Sequence, residues 1–281
     1  MDDLHSINEA LNKRAGRKLI PSIFVSATLV GLVWFTLAFQ RELFAVLICI
    51  AVILGIREIT RAFNSTDTYI SFPALVIATI ILAASTWRGG VAGLAIATAF
   101  CLPNLLVHLL RRGPKGFINS ATATTLVLIY LPFLAGFLIL LARPEDGLSR
   151  VMTFVILISC NDTFGYLVGI LIGKHPLAPQ ISPKKSKEGL VGSLIFTVIG
   201  GSVSFHYLLD HHWWIGAIVG LMVVFTATSG DLIESAMKRD LSLKDMGSLL
   251  PGHGGMLDRL DSALLSGPAV WLALEIVNRY L

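Results

Sequence analysis

Between Lys238 and Asp261 the chain reads Lys-Arg-Asp-Leu-Ser-Leu-Lys-Asp-Met-Gly-Ser-Leu-Leu-Pro-Gly-His-Gly-Gly-Met-Leu-Asp-Arg-Leu-Asp. The stretch combines cations at Lys238, Arg239, Lys244 and Arg259, carboxylates at Asp240, Asp245, Asp258 and Asp261, and glycines at Gly252, Gly254 and Gly255. Polyphosphate chemistry uses all three: cations hold phosphate oxygens, carboxylates hold a divalent ion, and glycine backbone turns N–H groups onto an anion. Asp258 and Asp261, three apart, share one helical face and can both reach a hard cation such as Mg²⁺, with Asp231 completing the set. Pro251 restricts the entry to the glycine turn, which reads as a phosphate cradle ahead of a helix N-terminus. Spacing alone leaves a blander reading open, in which the loop is charged because it is wet and its Gly and Pro merely make turns.

A second feature lies upstream, where Asn161 and Asp162 sit among Leu and Ile. A carboxylate inside an apolar run is costly enough to point to function. The alternative is a helix–helix hydrogen bond. The other candidates are weaker: His211, His212, Trp213 and Trp214 read as an interfacial aromatic belt, and His108 and His206 as packing or interfacial residues near span ends. Cys49, Cys101 and Cys160 fall in separate apolar runs without metal-type spacing and read as small packing residues.

The elements that must position these groups follow from composition. With 54% apolar and 14% charged residues among 281, the chain is too apolar for a soluble domain and reads as a polytopic membrane protein. Runs of the length needed to span a bilayer predict about nine helices, near Pro21–Phe39, Glu42–Ile56, Ile70–Thr86, Gly90–Leu110, Asn119–Leu141, Val151–Ile172, Gly189–Leu208, Trp214–Ser235 and Leu265–Leu281. The second is short. Strands are not expected in lipid, so the fold class is all-α. The N-terminus shows no cleavage pattern and its first run is expected to stay as an anchor. Three parts result: a cytoplasmic tail over 1–18, N-terminal helices over 19–150, and a C-terminal catalytic region over 151–281 with cytoplasmic loops at 173–189 and 236–264. The tail reads equally as a solvated segment or an amphipathic surface helix. With the N-terminus inside, the outward segments keep only Arg41, Arg88, Arg143, Arg150 and Arg279, leaving 17 of the 22 Lys and Arg on the cytoplasmic face. The net charge of +4 thus gathers on the side where anionic lipids and nucleotides meet the protein, and no nucleic-acid partner is expected.

The string Ser235, Lys238, Arg239, Lys244, Asp245, Gly247, Pro251, His253, Gly254, Gly255, Asp258, Arg259 and Asp261 resembles the signature of the phosphatidate cytidylyltransferase (CDP-diacylglycerol synthase) family, without a gap. The likeness extends to the segment Gly230 to Ser235 and to Ser182-Pro183-Lys184-Lys185-Ser186-Lys187-Glu188-Gly189, where the family has Ser-Pro-Lys-Lys-Thr-x-Glu-Gly. Ser186 replaces Thr, Lys187 stands where Trp is common, and Phe164 and Gly165 depart from the family's Asp-Thr-Gly-Ala-Tyr stretch at Asp162. The N-terminal spans are similar in hydropathy only.

The resemblance implies an enzyme that joins CTP to phosphatidic acid at the cytoplasmic face of a membrane, releasing pyrophosphate. It assigns catalytic roles to Asp231, Lys238, Arg239, Lys244, His253, Asp258, Arg259 and Asp261, with Mg²⁺ on Asp231, Asp258 and Asp261 and a second cation left open. Substrate binding falls to Asp162, Ser182, Lys184, Lys185, Glu188, Gly252, Gly254 and Gly255. Lys238 and Arg239 go mainly to CTP, Lys184 and Lys185 to either phosphate, and His253 need only position or donate. Membrane lipids are further partners, with a homodimer left open. CTP-dependent polyprenol or phytol kinases have no reason to keep the whole string. A transporter is expected to show an internal repeat, and none is seen. The Asp-Gly-x-x-Ala-Arg motif of the CDP-alcohol phosphotransferases is absent.

Overall fold

In lipid a chain can satisfy its N–H and C=O groups only against itself, and the apolar runs accordingly fold as helices. The computed structural model describes residues 19–66, 68–101, 103–243, 245–247 and 254–280. The expected tail, Lys244, Pro251, Gly252 and His253 lie outside them. In chain order the elements are α1 (Leu19–Phe39), α2 (Arg41–Asn64), α3 (Phe72–Cys101), α4 (Asn104–Arg112), α5 (Phe117–Leu128), a π-helical turn (Ile129–Phe133), α6 (Leu134–Ala142), α7 (Gly147–Ile172), β1 (Pro176–Ala178), β2 (Ser182–Ser186), α8 (Lys187–Leu208), α9 (Trp213–Asp240) and α10 (Leu257–Tyr280). The protein is an all-α polytopic membrane protein, and seven helices among the described residues are long and apolar enough to cross a bilayer.

That number counts 72–111 as one run, where the sequence predicts two spans. The run is not straight. Gly90 adopts φ 60° and ψ −140°, a backbone that side chains avoid. Cys101 Sγ comes within 3.9 Å of Ala78 O, whereas a straight helix would hold these residues about 35 Å apart. The chain therefore doubles back at Gly90. Arg143 covers the turn, donating to Trp87 O at 3.0 Å and Arg88 O at 3.4 Å, where a helix C-terminus favours a cation. The second expected span is not short: α2 holds 24 residues. Beyond these seven, α1 contributes a shorter apolar stretch, Ala27–Phe39.

The polar connections are shorter than hydropathy predicts. Helix α9 runs on to Asp240 and α10 begins at Leu257, so the expected loop 236–264 shrinks to 241–256. Asp258, Arg259 and Asp261 interrupt the apolar run, yet Leu257, Leu260 and Leu264 keep helical spacing and are all buried. The expected loop 173–189 is also ordered. Its β1 and β2 form an antiparallel hairpin with Pro176 opposite Ser186 and Ala178 opposite Ser182, and α8 follows with Ser186 Oγ accepting from Gly189 N at 3.0 Å. These strands, unforeseen in the sequence, stand outside the spans, where the argument against strands in lipid does not apply. Helix α10 packs on α9, α6 and α2, and one continuous apolar core joins both halves of the chain.

Candidate active site

The start of α10 is fixed from the far end of the sequence. Glu58 of α2, 8% exposed, accepts hydrogen bonds from Met256 N and Leu257 N, both at 3.0 Å. It thereby satisfies two of the free N–H groups that open every helix. A Cβ on Gly247 or Gly255 would lie 2.3 or 2.4 Å from the Glu58 carboxylate, so only glycine lets the loop close around it.

One turn on, Asp258 accepts from Gly255 N at 2.7 Å and from Lys238 Nζ at 2.8 Å. Gly254 precedes it with φ 76°. Lys238 Nζ also stands 2.5 Å from Glu234 Oε2, an ion pair without hydrogen-bond alignment. Glu234 is fully buried. One helical turn back along α9, Asp231 pairs with Lys185 of β2, which ties the hairpin to α9. Arg239 adds a second tie, Nε donating to Ile181 O at 3.4 Å and Nη1 to Leu243 O at 3.4 Å.

The remaining acids meet where α7, α9 and α10 cross. A Cβ on Gly230 would lie 2.3 Å from Asp261 O, so α9 and α10 touch backbone to backbone beside Asp231. Asp162 Oδ1 accepts from Asn161 Nδ2 at 2.9 Å and Oδ2 from Ser262 Oγ at 3.3 Å. Asp162 is exposed where α7 meets α10, and Asp231 and Asp261 beside it are half-buried, so these acids line a crevice that opens outward. Asp261 lies in the field of Asp231, Glu234 and Asp162, and Asp162 in that of Asp231 and Lys185. The Tyr130 hydroxyl, on the π-helical turn, donates to Gly230 O at 3.4 Å and faces the same acids.

The structure thus gathers Asp162, Lys185, Asp231, Lys238, Asp258 and Asp261 at one end of the bundle. Other expected residues stand apart from this cluster. Glu188 turns to the hairpin entrance, accepting from Lys174 N and His175 N at 3.1 and 3.2 Å and pairing with His175 Nδ1 at 2.6 Å. Lys184 is exposed and Ser182 pairs with Ala178 in the hairpin, while Arg259 lies between Asp258 and Asp261 in the first turns of α10. Lys244, Gly252 and His253 fall outside the described residues.

Among the described residues no three His, Cys, Asp or Glu form a ready cation cage. Asp231, Asp258 and Asp261 are divided: Asp258 is held by Lys238, while Asp231 and Asp261 share the crevice with Asp162. The donor chemistry nevertheless suits a hard cation. Five carboxylates face two lysines: Lys185 pairs with Asp231, Lys238 with Glu234 and Asp258, and among the described residues Asp162 and Asp261 form no ion pair.

Comparison with known proteins decides the family. The model of the cytidylyltransferase family matches residues 21–277. The chain belongs to this family. It is 36% identical to the phosphatidate cytidylyltransferase of Mycobacterium leprae over 94% of this chain and 90% of that protein. The Mycobacterium tuberculosis protein of the same name is 34% identical over 94% of this chain and 84% of its own length. A Staphylococcus haemolyticus phosphatidate cytidylyltransferase is 37% identical over 50% of this chain and 54% of its own. The protein is therefore a nucleotidyltransferase embedded in a membrane. Three residues at its cluster were not singled out from the sequence: Glu58, Glu234 and Tyr130. Glu234 repeats at i+3 from Asp231 and i−4 from Lys238, a spacing that could have revealed it. Glu58 and Tyr130 meet partners 198 and 100 residues away and left no local signal.

Proposed function

We propose that the enzyme is a phosphatidate cytidylyltransferase, converting CTP and phosphatidic acid to CDP-diacylglycerol and pyrophosphate. The observation that carries this reading is the convergence of Lys185, Lys238 and five carboxylates from α7, β2, α9 and α10 in one crevice at the end of a helix bundle. A lipid substrate is supported by an apolar groove of about 450 Å³ beside it, running between α8 and α9 from Leu221 and Phe225 to Leu232, next to Asp231. Acyl chains can lie there while the phosphate enters the crevice.

In the reaction an oxygen of the lipid phosphate attacks the α-phosphorus of CTP, and the bond to the bridging oxygen of the β-phosphate breaks, releasing pyrophosphate. The attacking phosphate is already ionised, so no strong base is needed. Lys185 and Lys238, drawn from their carboxylates onto phosphate oxygens, neutralise charge on the reacting groups and align them. Arg239 holds the hairpin against α9 and so positions Lys185. The residues that would hold Mg²⁺ are Asp231 and Asp261, with Asp258 on the adjoining turn. Bound there, the ion supplies charge neutralisation on the attacking and leaving oxygens. The active site is proposed to face the cytoplasm, where CTP is available.

Purified protein given CTP labelled at the α-phosphate is expected to pass label to phosphatidate, and CTP labelled at the γ-phosphate is not. Transfer of the γ-label to a lipid alcohol instead would make the enzyme a CTP-dependent kinase.

A further inference from the structure

Away from the crevice, Arg57, Thr60, Arg61 and Asn64 follow one another at i, i+3, i+4 and i+7 on one face of α2. With Ser65 and Phe72 they line a cavity of about 520 Å³. Both arginines are exposed, and among the described residues neither forms an ion pair. Glu58, the acid beside Arg57 in sequence, is committed to Met256 N and Leu257 N. Asn64 and Ser65 are occupied too, Asn64 by two bonds with the Ile70 backbone and Ser65 Oγ by donation to Ala62 O.

Thr60 is different. It is 4% exposed and its Oγ1 has no partner, whereas Thr79, Thr86, Thr98 and Thr124 each return theirs to the carbonyl four residues back. Thr153 and Thr197 share the deficit, but Thr60 alone of the three lines this cavity beside two arginines, where a rotation about χ1 would turn its hydroxyl toward a bound group. A buried polar group without a partner calls for one. Two forked guanidinium donors and a hydroxyl match the oxygens of a phosphate, and Phe72 offers an apolar wall to what the phosphate carries.

Depth points the same way. The apolar run of α2 ends at Ile56, and Arg57, Glu58 and Arg61 follow within its last two turns, charges that belong at head-group level rather than in the hydrocarbon core. Glu58, one residue from Arg57, grips the start of α10, which puts the cavity on the same membrane face as the crevice. We propose that this cavity is a head-group site for an anionic glycerophospholipid, with Arg57 and Arg61 taking its phosphate and Thr60 donating to it. The site goes beyond the reaction proposed above and binds whether or not that reaction is right. The phosphate can come from phosphatidate awaiting transfer or from another anionic lipid of the leaflet.

Delipidated protein in detergent would be titrated with dioctanoyl phosphatidate or dioctanoyl phosphatidylglycerol, retained lipid being counted by native mass spectrometry and CTP turnover followed in parallel. Arg57→Gln/Arg61→Gln is expected to weaken retention roughly tenfold or more, because two charge-assisted contacts are lost, with the KM for CTP unchanged. A loss confined to phosphatidate, with a raised phosphatidate requirement, identifies the occupant as substrate. A loss shared by both lipids identifies a leaflet lipid, and either result supports the site. Thr60→Val, which keeps shape and both charges, is expected to weaken retention about threefold and serves where the double variant does not fold. Wild-type retention of both lipids by the folded variants, or no retention by the wild-type protein, overturns the proposal.

Discussion

Lys238 stands between two acids whose side chains are 0% and 10% exposed, Glu234 and Asp258. Removing one partner from such an arrangement leaves charge buried without a counterion, at a cost of about 3–5 kcal/mol. Lys238→Ala is therefore expected to lower the melting temperature of detergent-extracted protein as well as turnover. Adding Glu234→Gln should return part of the stability and none of the turnover. An unchanged melting temperature in Lys238→Ala would refute the buried pairing. Asp231 and Asp261 behave differently, because they crowd one crevice with Asp162. Asp261→Asn removes a negative charge from that cluster while keeping the shape of the side chain. Turnover is expected to be lost at every Mg²⁺ concentration, with the melting temperature held or raised. Near-normal turnover at limiting Mg²⁺ would remove Asp261 from the proposed ligands.

Among the elements, α10 depends on α2 for its first turn. Glu58→Ala leaves Met256 N and Leu257 N without an acceptor, and each buried unpaired N–H costs about 1–3 kcal/mol. The variant is expected to melt earlier and turn over more slowly, with Glu58→Gln between it and wild type because one amide oxygen can still accept. If both variants match wild type in melting and turnover, the start of α10 is held by something else. This dependence also explains what the sequence could and could not disclose. The apolar runs, the basic pair Lys184 and Lys185 and the intramembrane Asp162 were legible, because each announces itself in residue type or near neighbours, whereas the pairing of Lys185 with Asp231, 46 residues on, was not. The string from Ser235 to Asp261 was legible as chemistry, yet not as structure. Its last two acids belong to a helix that hydropathy starts eight residues late, since Asp258, Arg259 and Asp261 break the apolar run while Leu257, Leu260 and Leu264 sustain the helix. Glu188 matched a motif position, and in the fold it steadies the hairpin through His175. The reversal at Gly90 was legible as well, since the sequence ends one span at Thr86 and starts the next at Gly90 with Arg88 in the gap between them.

For the molecule as a whole, the bias of 17 basic residues to 5 predicts which way the bundle faces. The fold makes that prediction testable at two points. Helix α9 has 28 residues, about 42 Å, enough to cross a bilayer from one surface to the other. His212 at its start and Asp240 at its end are both exposed, so each accepts a cysteine that a reagent can reach. Asp210 and Ser242 are less suitable, because both hold positive φ, 55° and 57°, which a cysteine disfavours. The native thiols are partly or fully buried, and labelling of the unsubstituted protein gives the background to subtract. In intact cells, a thiol reagent that cannot cross membranes is expected to label His212→Cys and to spare Asp240→Cys until the membrane is opened. Because Lys238 lies two residues before Asp240 on α9, the same measurement locates the crevice. Labelling of Asp240→Cys in intact cells, with His212→Cys protected, would reverse the orientation and set the crevice on the side away from cytoplasmic CTP. Labelling of both from one side would show that α9 does not span.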